Sequence, residues 1–222
     1  MLTKLLKSSE QNKSYNKNVK NHSHLKAILL ALLVTFLWST SFIIIKIGLV
    51  EIPPLTFAGL RYTIASLCLL PFAFTKTNSA VIKKLDKRDW LKLILLGILF
   101  YAFTQGTQFV GLSLLPAVTV SLWLNFTPLI VAVMAIFLIS EFPTKLQWIG
   151  VVLFIIGIFD YFFPINFSES QSTGLIVMTV GVLANSASAV LGRNINREAK
   201  INPVVVTILS MGIGSILLLI IG

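Results

Sequence analysis

Ala27–Val50 reads AILLALLVTFLWSTSFIIIKIGLV, an apolar run broken only by a few hydroxyls and one charge, Lys46. A helix crosses a hydrocarbon core of about 30 Å with roughly 20 mostly apolar residues, and this run supplies them. It is too long for the apolar core of a signal peptide, and no small-residue cleavage site follows it. Six similar runs lie at 54–74, 91–112, 117–139, 145–163, 173–193 and 203–222. Composition agrees: 56% of the 222 residues are apolar and only 12% are charged, far from a soluble domain. The expected fold is therefore an all-α polytopic membrane protein.

The charges orient it. Of 18 Lys and Arg residues, all but Lys46 and Arg61 fall in the first 26 residues, in 75–92, at Lys145 or in the turn 193–200. Those segments are alternate helix ends and share one face. The positive-inside rule makes that face cytoplasmic and places the N-terminus inside, here in a bacterial inner membrane. The opposite loops carry Glu51, Asp160 and Glu169 without a loop Lys or Arg. Residues 1–26 are rich in Lys and Asn and read as a disordered basic cytoplasmic tail; His22 and His24 in it read as solvated juxtamembrane residues. The formal charge of +10 is explained by orientation and anionic lipid headgroups, so membrane lipids are partners and nucleic acid is not. Cys68 stands alone, permits no intramolecular disulfide, and reads as a buried packing thiol.

The chain also repeats itself. Thr35, Ser39, Phe42 and Lys46 are spaced 4, 3 and 4, on one helix face, and Gly181, Asn185, Ser188 and Gly192 in the sixth run repeat that spacing. Arg193 stands next to the position matching Lys46, and Pro54 and Pro203 open the runs that follow. The offset is about 147 residues, or five spans, and an odd number of spans inverts the second unit.

Four stretches in order carry a family resemblance. They are Phe36–Phe42 (FLWSTSF) with Lys46; Pro54–Tyr62 (PLTFAGLRY); Gln105–Leu124, where Gly111–Ala117 (GLSLLPA) leads into a helix containing Pro128; and Glu141 followed by Gln147, Gly150 and Gly157. In these the sequence resembles the EamA-type permeases of the drug/metabolite transporter superfamily. The resemblance covers 27–163 as a first EamA-like five-helix unit and 164–222 as the first two helices of a second. It implies an inverted-repeat fold around a central cavity, and secondary transport, with export expected, of a small-molecule metabolite such as an amino acid. Members typically have ten helices. This chain is thus also expected to behave as a truncated or remnant half, or to work as a homo-oligomer or with a partner subunit.

Polar residues within the spans are the site candidates. A charge at a bilayer centre costs roughly 2.5–3.5 kcal/mol, so such residues face a cavity, a partner or the interface. Lys46 reads as a cavity cation or a snorkelling anchor, and Arg61 as a group beside the substrate path or a structural donor. Together they would suit a substrate carboxylate or phosphate. Gln105 and Gln108 on the third span, and Asn125 on the fourth, supply amides that either hold a solute or bind helix to helix. Trp38 and Trp123 lie away from the helix ends and form a cavity wall or ordinary packing. Ser39 and, from the second unit, Asn185 complete the candidate cavity. Pro128 is expected to bend its helix, and Gly97, Gly106, Gly150 and Gly157 to mark close helix approaches.

Other functions lack their residues. No acids, histidines or thiols converge for catalysis, and no metal-ligand cluster, phosphate-binding loop or cofactor motif is present. Neither a pore loop nor repeated polar rings mark a channel, and a seven-helix receptor usually starts outside, not inside. With no ATP-binding motif, transport would be secondary.

Overall fold

Proline and capping side chains set where the helices begin. In this computed structural model, which describes residues 2–139, 144–163, 168–198 and 200–222, α2 (Pro54–Ala73) opens on proline. So does α10 (Pro203–Ile221). Proline suits a first helical position, where its missing N–H would have had no partner. Three further helices start on reciprocal capping boxes: α4 (Lys87–Leu96) on Asp86 and Asp89, α8 (Lys145–Phe162) on Thr144 and Gln147, and α9 (Glu169–Arg197) on Ser168 and Gln171.

Among the described residues, seven helices or continuous helical stretches are long and apolar enough to cross a membrane, matching the seven runs read from the sequence. The first lies in α1 (Leu2–Gly48), which also takes in the tail expected to be disordered. α2 is the second span. The basic loop after it contains α3 (Lys76–Lys83), a short amphipathic helix. The third span is composite: α4, a π-helical segment (Gly97–Gln105), then α5 (Gly106–Leu114). The fourth is broken into α6 (Ala117–Leu124) and α7 (Thr127–Ile139), with Asn125 and Phe126 in a turn between them. Proline cannot donate to the carbonyl four residues back, so Pro128 ends α6 at Leu124, and the expected bend is a break. α8, α9 and α10 supply the rest.

One compact unit ends at Ile44; the other runs Ile45–Gly222. Within the second, α10 packs against α2 and the π-helical segment, while α9 packs against α5, α6, α7 and that same segment. Near the basic face, Leu93, Leu96, Ile195, Ile201, Val205 and Val206 form a buried apolar cluster. Just beyond it the backbones meet. A Cβ on Gly97 would stand 2.5 Å from the Ser210 carbonyl oxygen, and one on Gly214 would strike the Gly97 carbonyl and Tyr101. The π-helical segment thus begins at a glycine that lets α10 approach closely.

Polar contacts reinforce this face. Lys200 Nζ lies 2.6 Å from Asp89 Oδ2 and 3.0 Å from Asp86 Oδ2, and Lys92 Nζ lies 2.6 Å from Glu198 Oε1. The Asn202 amide donates to Asn78 Oδ1 at 3.1 Å, and the Asn78 amide donates to the Phe72 carbonyl at 2.8 Å. The Asp89 backbone N–H, and then Lys200, hold the Asp86 carboxyl below its ordinary value. Asp89 and Asp86 in turn push the Lys200 ammonium up.

Two packing expectations fail. A Cβ on Gly150 or Gly157 would meet nothing within 4 Å, because no residue of α8 is buried; of the four glycines expected at close approaches, Gly97 and Gly106 are found there. Cys68 is exposed, lying on an outward face of α2.

Candidate functional site

The candidate residues separate into three groups. Lys46 is held by α5. Its Nζ donates to the carbonyls of Leu112 at 2.7 Å and Leu115 at 2.6 Å, at the C-terminal end of α5. The last carbonyls of a helix have no intrahelical partner and carry the negative end of its dipole. A lysine ammonium meets both needs, so Lys46 is a helix cap, a role outside the two read from its sequence position.

The second group lies between α2 and the third span. Tyr62 donates its hydroxyl to Gln105 Oε1 at 2.7 Å, and its ring meets Tyr101 edge-on at 5.5 Å between centroids. Arg61, half-buried, holds its guanidinium 5.6 Å from the centre of the Tyr62 ring and 5.9 Å from that of Phe109. Phe109 is itself braced edge-on by Phe57 at 5.4 Å. Among the described residues Arg61 has neither a hydrogen bond nor an ion pair. Both rings stand near the outer limit of a cation–π contact, each worth about 0.5–1 kcal/mol when partly exposed. That does not offset the roughly 2.5–3.5 kcal/mol of placing the charge in a span. Gln105 is therefore a helix-to-helix contact, and Gln108, 7% exposed, lies buried on α5 without a side-chain hydrogen bond among the described residues.

The third group joins the fourth span to the sixth. Trp123 donates its indole N–H to Thr179 Oγ1 at 3.1 Å, and its ring meets Phe126 and Phe162 edge-on. Asn185 donates to Thr127 Oγ1 at 3.1 Å. The small-residue stripe of the sixth span is a packing face: Gly181 rests on Thr107, and Ser188 bonds back to the Asn185 carbonyl at 2.7 Å. Asn125 is different. It is exposed, bonds within its own helix to the Ser121 carbonyl at 3.1 Å, and lines a cavity of about 790 Å³. The cavity lies between α7 and α8, walled by Pro128, Ala132 and Phe154, with Gln147 and Arg193 at helix ends of the basic face. Thr127, Thr179, Tyr62 and Phe109 were not singled out in the sequence; Tyr62 adjoins Arg61, and the two threonines carry no signal of their own.

Trp38 and Ser39 lie in the unit that ends at Ile44. There Trp38 is 61% exposed, and Ser39 donates to the Thr35 carbonyl at 3.0 Å. Glu141 lies outside the described residues.

Comparison with known proteins gives one consistent result. An uncharacterized transporter of Archaeoglobus fulgidus is 30% identical over 173 residues, covering 75% of this chain and 57% of that protein. The uncharacterized transporter YvbV of Bacillus subtilis is 28% identical over 201 residues, covering 88% and 62%. A second from that organism, YoaV, is 27% identical over 163 residues, covering 72% and 54%. The chain thus spans between 54% and 62% of the length of these relatives. No solved structure matches it. Residues 25–162, the first five spans, match the EamA-like transporter family. With its seven apolar helices, this chain is a multi-pass integral membrane protein and belongs to the EamA-like transporter family.

Proposed function

We propose that the chain takes part in secondary transport of a small metabolite, in the direction of export, and that it is a transporter and not an enzyme. The residue expected to meet the solute is Asn125, on a span that Trp123 and Asn185 tie to the sixth. What supports the reading is the cavity of about 790 Å³ between the fourth and fifth spans, bordered within the membrane by the exposed amide of Asn125, while Asn185 and Gln105 bond to neighbouring helices. A mostly apolar wall with a few placed polar groups is the ordinary make-up of a small-molecule site. The basic face is taken as cytoplasmic, so this cavity opens inward. The first five spans serve as one repeat and the last two as the start of an inverted second, which gives a carrier its two alternating states. Family and relatives' names agree with transport; the solute is inferred only as a class.

The test is counterflow. The full chain is reconstituted in liposomes preloaded with a mixture of amino acids, and uptake of each labelled amino acid is followed. Saturable uptake that falls at least tenfold in Asn125→Ala, at equal reconstituted protein, supports the reading. Uptake equal to empty liposomes for amino acids, nucleotides and sugars alike overturns transport by this chain alone, and favours a half that acts only beside other subunits.

A further inference from the structure

Lys46 and Arg61 both lie inside spans away from the basic face, and the structure separates them. Lys46 gives two hydrogen bonds to carbonyls at the end of α5, whereas Arg61 lies against two rings. Seven residues from the start of α2, at 1.5 Å per residue, put Arg61 about 10 Å into its span from the face opposite the basic one. It stays half-buried, so something other than the chain can reach it. Its guanidinium presents up to five N–H donors in a planar fork, and aromatic faces can brace that plane without using a single donor. The hydrogen bond recorded at Gln105 Oε1 comes from the Tyr62 hydroxyl and not from Arg61. No carboxylate of the described residues pairs with Arg61. A charge so placed, held in a fixed orientation and with its donors unspent, is arranged to receive an oxyanion.

We propose that Arg61, braced by Tyr62 and Phe109, is an anion-binding site that takes a carboxylate or phosphate group through its guanidinium fork. The anion has two sources, a soluble solute reaching the opposite face or the headgroup of an anionic lipid. The site does not rest on the transport reading, because occupancy is measured at equilibrium without flux.

The full chain is purified in dodecyl maltoside, a detergent without phosphate or carboxylate. Phenylglyoxal, which modifies free guanidinium groups, is then applied to the intact protein, and the modified arginines are located by peptide mass spectrometry. Acetate or inorganic phosphate, at constant ionic strength, is expected to slow modification of Arg61 about tenfold, the size of a charge-assisted contact, and to leave Arg88 unchanged. The same anions should raise the melting temperature of the wild type, keep part of that effect in Arg61→Lys, and lose it in Arg61→Gln. If soluble anions do nothing, but phosphatidylglycerol protects Arg61 and stays bound to the wild type and not to Arg61→Gln in native mass spectrometry, the anion is the lipid headgroup. If neither acetate, phosphate nor phosphatidylglycerol slows modification of Arg61 more than that of Arg88, the proposal is overturned. That last comparison is made within the wild-type protein, so it holds even if a variant fails to fold.

Discussion

Replacing Lys46 by Met tests whether a span charge is structural. The substitution keeps the length and apolar stem but removes the ammonium that donates to Leu112 at 2.7 Å and Leu115 at 2.6 Å. Each hydrogen bond to a charged group is worth about 1.5–3 kcal/mol, and its loss leaves a helix-end carbonyl without a partner. Against this stands relief from holding a charge in a span, at most roughly 2.5–3.5 kcal/mol and less for a residue two positions from the end of α1. The cap wins by about 2 kcal/mol, which lowers the melting temperature of a chain this size by about 4–8 °C. Lys46→Gln keeps neutral donors and should fall between. The assay is melting in detergent, paired with hydrogen exchange over residues 111–116. The amide of Leu115, bonded to the Gly111 carbonyl at 2.8 Å, should exchange faster when the last turn of α5 frays. Unchanged melting and unchanged exchange in Lys46→Met would refute the cap. If in addition amino-acid counterflow were lost, the lysine would be touching solute instead.

Three further outcomes follow from packing and charge. Gly97→Ala places a methyl group 2.5 Å from the Ser210 carbonyl, a backbone atom that cannot step aside, and should cost about 1–3 kcal/mol in detergent melting. Gly150→Ala, open on all sides, should change stability by no more than about 0.5–1 kcal/mol, in the stabilising direction of alanine's helix propensity. Lys200→Met should lower the melting temperature by leaving the buried Asp89 carboxylate without its partner, and adding Asp89→Asn should restore part of the loss. The pH dependence of that Lys200 effect has two edges. Asp86 is held below its ordinary 3.8, so its share is complete above that value and fades as pH falls through the lowered one. Lys200 is raised above 10.5, so its share is complete below that value and fades as pH climbs through the raised one. The melting difference between wild type and Lys200→Met should therefore be flat from about pH 5 to 9 and shrink on either side.

The seven spans were legible because hydropathy and length report directly on what a bilayer accepts, and the prolines at 54 and 203 fixed two helix starts. The break at Asn125 was half-legible: Pro128 announced a disturbance but not that the helix would stop a full turn earlier. The π-helix over GILFYAFTQ left no trace, since its apolar pattern suits an α-helix equally well. Gly150 and Gly97 are the same letter in similar surroundings, yet one faces open space and the other a backbone. Which glycine is needed depends on how each helix is rotated about its axis. The pairing of Tyr62 with Gln105 depends on the same rotation, as does the turning of Cys68 outward.

The polar candidates sort by a criterion absent from any motif: whether each donor or acceptor is already satisfied by the chain. Lys46 and Arg61 look equivalent as lone cations in neighbouring spans. Lysine's compact ammonium, at the end of α1, falls on carbonyls that every helix end offers, so the fold consumes it. Arginine's flat fork, on α2, falls on rings that support it without accepting a hydrogen bond, so the fold leaves its donors available. The amides divide in the same way, with Gln105 and Asn185 engaged between helices and Asn125 exposed to a cavity. In a hydrocarbon surrounding an unmet polar group is costly, and retaining one is worthwhile where a ligand, water or lipid completes it. Arg61 meets that criterion, and Asn125, whose amide N–H already bonds to the Ser121 carbonyl, meets it in part, while Lys46, which the sequence placed beside them, does not.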